Sequence, residues 1–92
     1  MNYRETYNEI NTNVIEEIRE LAKPYTEEEP KDIDFLVCRE GILGDWELEW
    51  MYWDEDQNEA FFYIKDDDDP VALWYFDLDT KIDILDYLKS LN

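Results

Sequence analysis

The chain has 92 residues, a length that allows one domain (residues 1–92) and is too short for two. Hydrophobic residues make up 45% of it and aromatic residues 16%, which excludes a disordered chain, because disordered segments lack this much apolar content. With 26 Asp and Glu against 8 Lys and Arg, the formal net charge is -18. Such a charge argues against direct binding to nucleic acid or to an anionic membrane, and it favours a basic protein partner or cations.

The first predicted element is an amphipathic helix over residues 2–23. Its apolar side chains recur every three or four residues, at Tyr3, Tyr7, Ile10, Val14, Ile18 and Leu21. Asn2 is placed to cap the start of the helix, and Pro24 ends it. The opposite side carries an acidic row about 22 Å long, at a rise of 1.5 Å per residue. The members of this row are Glu5, Glu9, Glu16 and Glu20. An ordinary solvated helix face would present the same pattern.

Four strands follow an exposed loop at 24–32, which contains two prolines and three consecutive glutamates. The strands are predicted over residues 33–39, 45–53, 59–65 and 71–78, with turns at 40–44, 54–58 and 66–70. A second helix is predicted to begin near Thr80, with Asp83 completing a capping box. The expected fold is therefore α+β, a four-stranded antiparallel sheet with a helix at each end of the chain (α-β-β-β-β-α) and both helices on one sheet face.

The second strand alternates large apolar and acidic residues. Side chains of an extended strand point to opposite faces in turn, so alternation predicts one core face and one acidic face. The core face would hold Trp46, Leu48, Trp50 and Tyr52, and the acidic face Asp45, Glu47 and Glu49. Further carboxylates fill the two following turns, at Asp54, Glu55 and Asp56 and at Asp66, Asp67, Asp68 and Asp69.

The aromatic residues exceed what two helices can cover. Trp53, Phe61, Tyr63 and either Trp74 or Tyr75 alternate away from the predicted core set. Exposed apolar area of this size is typical of an interface, and a symmetric homodimer is its usual form. The alternative is a small domain that leaves some aromatic residues half exposed.

Catalysis is not predicted, so we expect a protein that is not an enzyme. The chain contains no histidine, and its two glycines form no phosphate-binding loop. Cys38, the only cysteine, lies mid-strand and is expected to be a small core residue in a reducing compartment. Asp54, Asp56 and Asn58 match three positions of a calcium-binding loop, but Lys65 stands where the bidentate glutamate belongs. We therefore expect no metal site and no cofactor.

Targeting and membrane signals also bear on location. No N-terminal apolar segment resembles a signal peptide, and no stretch is long enough to span a bilayer. A cytoplasmic protein is expected.

The magnitude of the charge suggests its use. Duplex DNA carries one negative charge per about 1.7 Å of axis, so 18 charges correspond to about 31 Å of duplex. A compact domain of this length is about 32 Å across. A folded domain with rows of carboxylates over an aromatic core therefore carries about the same charge as an equal length of DNA. A DNA-binding site would release counterions on binding either this protein or DNA.

In length, charge and aromatic content the chain resembles the small acidic DNA-mimic anti-restriction proteins of bacteriophages. The resemblance covers the whole chain and implies a homodimer that inhibits a host restriction enzyme (McrBC-like) or a nucleoid protein (H-NS-like), in the cytoplasm of the infected bacterium. These proteins share charge layout and no sequence motif, so the resemblance assigns no site residue. The carboxylates named above, apart from Asp45 and Asp83, are the predicted partner-binding residues. The predicted dimer contacts are Trp53, Phe61, Tyr63 and Trp74.

Two other functions remain open. An immunity protein or antitoxin that blocks a basic nuclease toxin would use the same electrostatics, but with one cognate partner, an aromatic hot spot and tolerance of salt. An acidic surface adapted to high salt would need no partner and would unfold at low salt.

Overall fold

The computed structural model describes residues 3–38 and 45–91. The elements in chain order are α1 (Tyr3–Ala22), β1 (Lys31–Cys38), β2 (Asp45–Asp54), β3 (Glu59–Ile64), β4 (Val71–Ala72), a 3-10 turn (Leu73–Tyr75) and α2 (Leu78–Ser90). The strands form one antiparallel sheet in the order β1-β2-β3-β4. The predicted α+β class and element order are confirmed.

Both helices pack on one face of the sheet, here called the inner face. The core between them joins Val14 and Ile18 of α1 and Ile84 and Leu88 of α2 to the sheet. Phe62 of β3 is fully buried at its centre. Burial of these apolar side chains is the main source of stability that a domain of this size has.

A β-bulge in β2 overturns the predicted faces of that strand. Leu48 pairs with Ile64, but the next pair is Trp50 with Tyr63, so Glu49 is an extra residue on β2. One extra residue moves every following side chain to the other face. Trp46 and Leu48 face the core as predicted, whereas Trp50 and Tyr52 lie on the opposite, outer face, and Met51 and Trp53 replace them in the core.

The fourth strand was predicted over residues 71–78, but it ends at its second residue, Ala72. After Ala72 the 3-10 turn directs Leu73 and Phe76 into the core and leaves Trp74 and Tyr75 exposed. Asp77 then caps α2 by accepting a hydrogen bond from the backbone N of Thr80 at 2.8 Å. The helix consequently begins at Leu78, and not at Thr80 as predicted. A run of apolar residues this short fits a strand and a tight helical turn equally well.

Residues 24–32 are largely exposed, as predicted, but the segment is tied to the sheet. The backbone N of Trp53 donates to the carbonyl of Tyr25 at 2.9 Å. Thr26 forms bridges with both Trp53 and Glu29, and β1 begins at Lys31.

The N-terminal half of α1 reaches past the core. Tyr7 and Ile10, both in the predicted apolar stripe, are exposed, while Val14 and Ile18 are buried. The proposed caps and turns at Asn2 and 40–44, and the side chain of Cys38, lie outside what the structure describes. Neither α1 nor α2 has the length and apolar character needed to cross a membrane.

Candidate protein-binding surface

The acidic row of α1 is on the molecular surface. All four of its predicted members, Glu5, Glu9, Glu16 and Glu20, are exposed. Glu20 accepts a hydrogen bond from the ammonium of Lys23 at 2.7 Å, and Glu17, beside the row, pairs with Lys89 at 2.9 Å. Exposed pairs of this kind neutralise little and stabilise the fold by under about 1 kcal/mol.

The carboxylates of β2 lie on the outer face, at the bulge. Glu47 and Glu49 are both exposed, and Glu47 pairs across the sheet with Leu36 of β1. The ammonium of Lys65 contacts Glu47 Oε2 at 3.0 Å. Since α1 lies on the inner face, the helix row and the β2 carboxylates are on opposite sides of the molecule. The structure does not combine them into one surface.

The hairpin between β2 and β3 uses one predicted carboxylate for its own geometry. Asp54 Oδ1 accepts the backbone N–H groups of Asp56 and Gln57 at 2.9 and 3.2 Å, which fixes the turn. Asn58 has a positive φ of 53°, a conformation that asparagine tolerates well. Asp54 is therefore half-buried, while Glu55 and Asp56 remain exposed.

The four aspartates after β3 are all exposed. Asp66 has a φ of 66°, and Asp67 Oδ1 accepts the backbone N–H of Asp69 at 3.3 Å. The loop begins beside β2, because the backbone N of Lys65 donates to the carbonyl of Glu47 at 2.8 Å. Asp66 to Asp69 thus extend the acidic group at the bulge.

Four carboxylates that the sequence analysis did not select join these groups. Glu27 and Glu28 line a groove with the hairpin acids at one end of β2. Asp32 and Asp34 of β1 line another with Glu47 and Glu49, in the N-terminal half of β2. The run of three glutamates at 27–29 was visible in the sequence, but its approach to the hairpin depends on the contact between Tyr25 and Trp53.

Between these two acidic groups, the outer face is aromatic. The rings of Trp50 and Tyr63 stack at 4.0 Å with an interplanar angle of 7°, and those of Tyr52 and Phe61 at 5.5 Å and 13°. Each is a directly opposed cross-strand pair, the arrangement that contributes most to sheet stability. On this face Tyr52 and Phe61 are buried, at 4% and 8% exposure, while Trp50 and Tyr63 are half-buried. The outer face is an aromatic band with carboxylates at both ends.

Tyr52 connects the band to the acidic turn at 26–29. Its hydroxyl donates a hydrogen bond to Glu27, and only 4% of the residue is exposed. Burial, followed by the charge of Glu27, raises the pKa of Tyr52 to about 12. Both causes disfavour the phenolate, so this hydroxyl stays protonated at physiological pH.

The residues predicted for a dimer contact fall in three environments. Trp53 belongs to the main core, which contradicts its predicted exposure, and the bulge is the reason. Phe61 and Tyr63 lie on the outer face, away from the main core, but Phe61 is only 8% exposed, which contradicts its predicted exposure, and Tyr63 is half-buried. Trp74 is 58% exposed and stacks on Tyr75 at 3.9 Å.

Some of the few cations are used inside the fold. Lys81 is only 5% exposed and donates to Asn11 Oδ1 at 2.9 Å, and burial lowers its pKa. Arg19 pairs with the buried Glu59 at 3.3 Å. These cations hold α1, α2 and β3 together and leave the outer carboxylates to solvent. Within the described part of the chain, no group of three or more acidic or cysteine side chains is placed to hold a metal ion.

No protein-family model, curated protein or solved structure matches this chain, so its function has to be inferred from the surface itself.

Proposed function

We propose that the protein is a non-enzymatic inhibitor that occupies the DNA-binding site of another protein. The observation that carries this proposal is the placement of the predicted carboxylates. Twelve of the thirteen predicted carboxylates are exposed and Asp54 is half-buried. The protein as a whole has a net charge of -18. With 8 cations for 26 carboxylates, most of these charges have no cation available to neutralise them.

The charge density is close to that of DNA. The molecule measures 43 × 31 × 25 Å, so 18 net charges along its long axis amount to about one per 2.4 Å, against about one per 1.7 Å in a duplex. A basic groove would therefore gain about 70% of the counterion release, per unit length, that DNA provides.

The target we propose is a DNA-binding protein of a bacterial host, either a restriction nuclease or a nucleoid protein, as the resemblance to phage anti-restriction proteins implies. Because the acidic row of α1 and the carboxylates Glu47 and Glu49 lie on opposite sides, one binding groove would engage one side at a time, except at the hairpin, where Glu16 and Glu20 share a groove with Asn58. A homodimer remains part of the proposal. Trp74, stacked on Tyr75, is the most exposed of the predicted contacts.

The aromatic band supports a second candidate, an immunity protein or antitoxin with a single basic partner. Interfaces of that type concentrate their affinity in aromatic residues, and the half-buried Trp50 and Tyr63 are the accessible members of the group that they form with the buried Tyr52 and Phe61. Binding through this band would tolerate salt better than binding through carboxylates alone.

Affinity capture from a bacterial lysate tests the proposal. The immobilised protein is compared with a variant in which Glu5, Glu9, Glu16 and Glu20 are glutamine, and each bead set is washed with duplex DNA. DNA mimicry predicts that duplex releases proteins which bind DNA by themselves. One partner that stays bound through duplex and 1 M salt would favour the immunity function. If no basic protein is retained, the proposal fails.

A further inference from the structure

Trp50 is half-buried, with the tilted ring of Tyr52 at 6.1 Å, and among the described side chains only Tyr63 stacks on its indole. Stacking with Tyr63 of β3 at 4.0 Å and 7° occupies the face of the indole that points towards β3. The ring planes are nearly parallel, so the other face points towards β1, on the opposite side of β2. In that direction the sheet register places Asp32 directly across from Trp50. An aromatic face and a carboxylate thus lie on neighbouring strands.

A groove of about 470 Å³ runs along this junction. Asp32, Asp34, Glu47 and Glu49 contribute four carboxylates to its walls, and Trp50 contributes its indole. The register of both β1 and β3 against β2 shifts here, between Asp32 and Phe35 and between Leu48 and Trp50. These bulges separate the side chains of the strands, which is how β-bulges commonly shape binding sites.

The groove already holds one cation of the chain. Lys65 lines it and contacts Glu47 Oε2 at 3.0 Å, although about half of the lysine side chain remains exposed. The hydrogen bond to Glu47, then the charges of Glu47, Asp66 and Glu49, raise the pKa of Lys65. The electrostatics of the groove therefore favour a positive group.

We propose that this groove receives an arginine side chain from the basic protein partner, an inference that rests on the proposed function and specifies its contact. A planar guanidinium can stack on the face of Trp50 that points towards β1 and donate two parallel hydrogen bonds to Asp32, whereas a lysine ammonium cannot do both. A second copy of the chain suits the groove poorly, because it would add its own net charge of -18 to four carboxylates.

Calorimetric titration with two synthetic peptides, hexa-arginine and hexa-lysine, tests the inference. The peptides carry equal charge, so a surface that senses charge alone binds them equally. Stacking on Trp50 predicts that hexa-arginine binds about tenfold more tightly. The preference should persist from 0.15 M to 0.5 M NaCl, because a desolvated stacking contact is screened less than exposed charges.

Matched variants locate the contact. Asp32→Asn should reduce the preference for arginine to under about threefold, while Asp83→Asn, an equal charge change on α2, should leave it intact. Lys65→Gln should tighten hexa-arginine binding more than Lys89→Gln does, because only Lys65 competes within the groove. Trp50→Leu, if circular dichroism shows it folded, should abolish the preference.

Three results would overturn the inference. The first is equal affinity for the two peptides, and the second is equal losses in Asp32→Asn and Asp83→Asn. The third is a dimer by light scattering that Trp50→Leu converts to a monomer, since a second copy would then fill the groove. The proposed function has a separate outcome. If duplex DNA releases the captured proteins but the chain shows no preference for hexa-arginine, only the arginine groove is refuted. If the chain prefers hexa-arginine but duplex DNA does not compete for its partners, only DNA mimicry is refuted.

Discussion

Tyr52 should make the fold sensitive to alkaline pH. The folded protein keeps the phenolic proton up to about pH 12, whereas the unfolded chain releases it near pH 10. The stabilisation is therefore complete below pH 10 and is lost as the pH rises through about 12. A shift of about 2 pKa units corresponds to about 2.7 kcal/mol, which we reduce to about 2 kcal/mol because salt screens the charge of Glu27.

Tyr52→Phe isolates this contribution. The variant loses the hydrogen bond to Glu27, which should lower the free energy of unfolding by about 1 kcal/mol at pH 8. Between pH 10 and pH 12 the native protein should then lose about 2 kcal/mol more than the variant, so that Tyr52→Phe becomes the more stable of the two.

Urea unfolding followed by circular dichroism at pH 8, 10, 11 and 12 measures these differences. Tyr75→Phe, which removes a hydroxyl from a ring that is 63% exposed, is the control for loss of a hydroxyl alone. If the native protein and Tyr52→Phe lose stability in parallel over this range, burial and Glu27 do not hold the proton and the reasoning is wrong.

Three further predictions concern stability, each measured by urea unfolding at pH 7. Glu59→Gln should lower the free energy of unfolding by about 2 kcal/mol because it leaves Arg19 without its buried partner. The exposed Glu17→Gln should lower it by under about 0.5 kcal/mol, and equal effects would contradict the importance of burial. Asp77→Ala should lower the free energy of unfolding by about 1 kcal/mol through loss of the α2 cap, and Asp79→Ala should lower it much less. A larger loss in Asp79→Ala would show that Asp77 is not the cap. Raising NaCl from 0.05 to 0.5 M should stabilise the protein by screening its net charge of -18, so a fall in stability would show that self-repulsion is not limiting.

The class of fold could be predicted because the period of the apolar residues differs clearly between helices and strands. The three-to-four spacing in α1, the alternation in β2 and the apolar run of β3 place these elements to within a few residues. The aspartates Asp66 to Asp69 marked the end of β3, and the polar residues at 54–58 marked the loop after β2. Local pattern was sufficient to locate these elements along the chain.

The faces of β2 could not be predicted, because a bulge depends on how two neighbouring strands pair. Nothing in the local pattern around Glu49 marks it as an extra residue, yet it exchanges Trp50 and Tyr52 for Met51 and Trp53 in the core. The grooves were missed for the same reason. Asp32 reaches Trp50 only through the register of β1 on β2.

Exposure of the acidic residues was predictable, but their arrangement was not. Carboxylates at Glu5 and Glu47 both had to be solvated, since neither could be buried without a partner. That they lie on opposite sides of the molecule follows from both helices packing on the inner face.

Competition for a single DNA-binding protein tests the central claim most directly. A protein captured from the lysate is bound to a fluorescent duplex, and its release by this chain is followed by anisotropy at several duplex concentrations and from 0.05 to 0.3 M NaCl. DNA mimicry predicts strictly competitive release whose affinity falls steeply with salt, and weaker release by the variant with four glutamines on α1 or by one with Asp32 and Asp34 changed to asparagine. Release that is non-competitive, or that does not change with salt, would contradict the claim that the acidic surface takes the place of DNA.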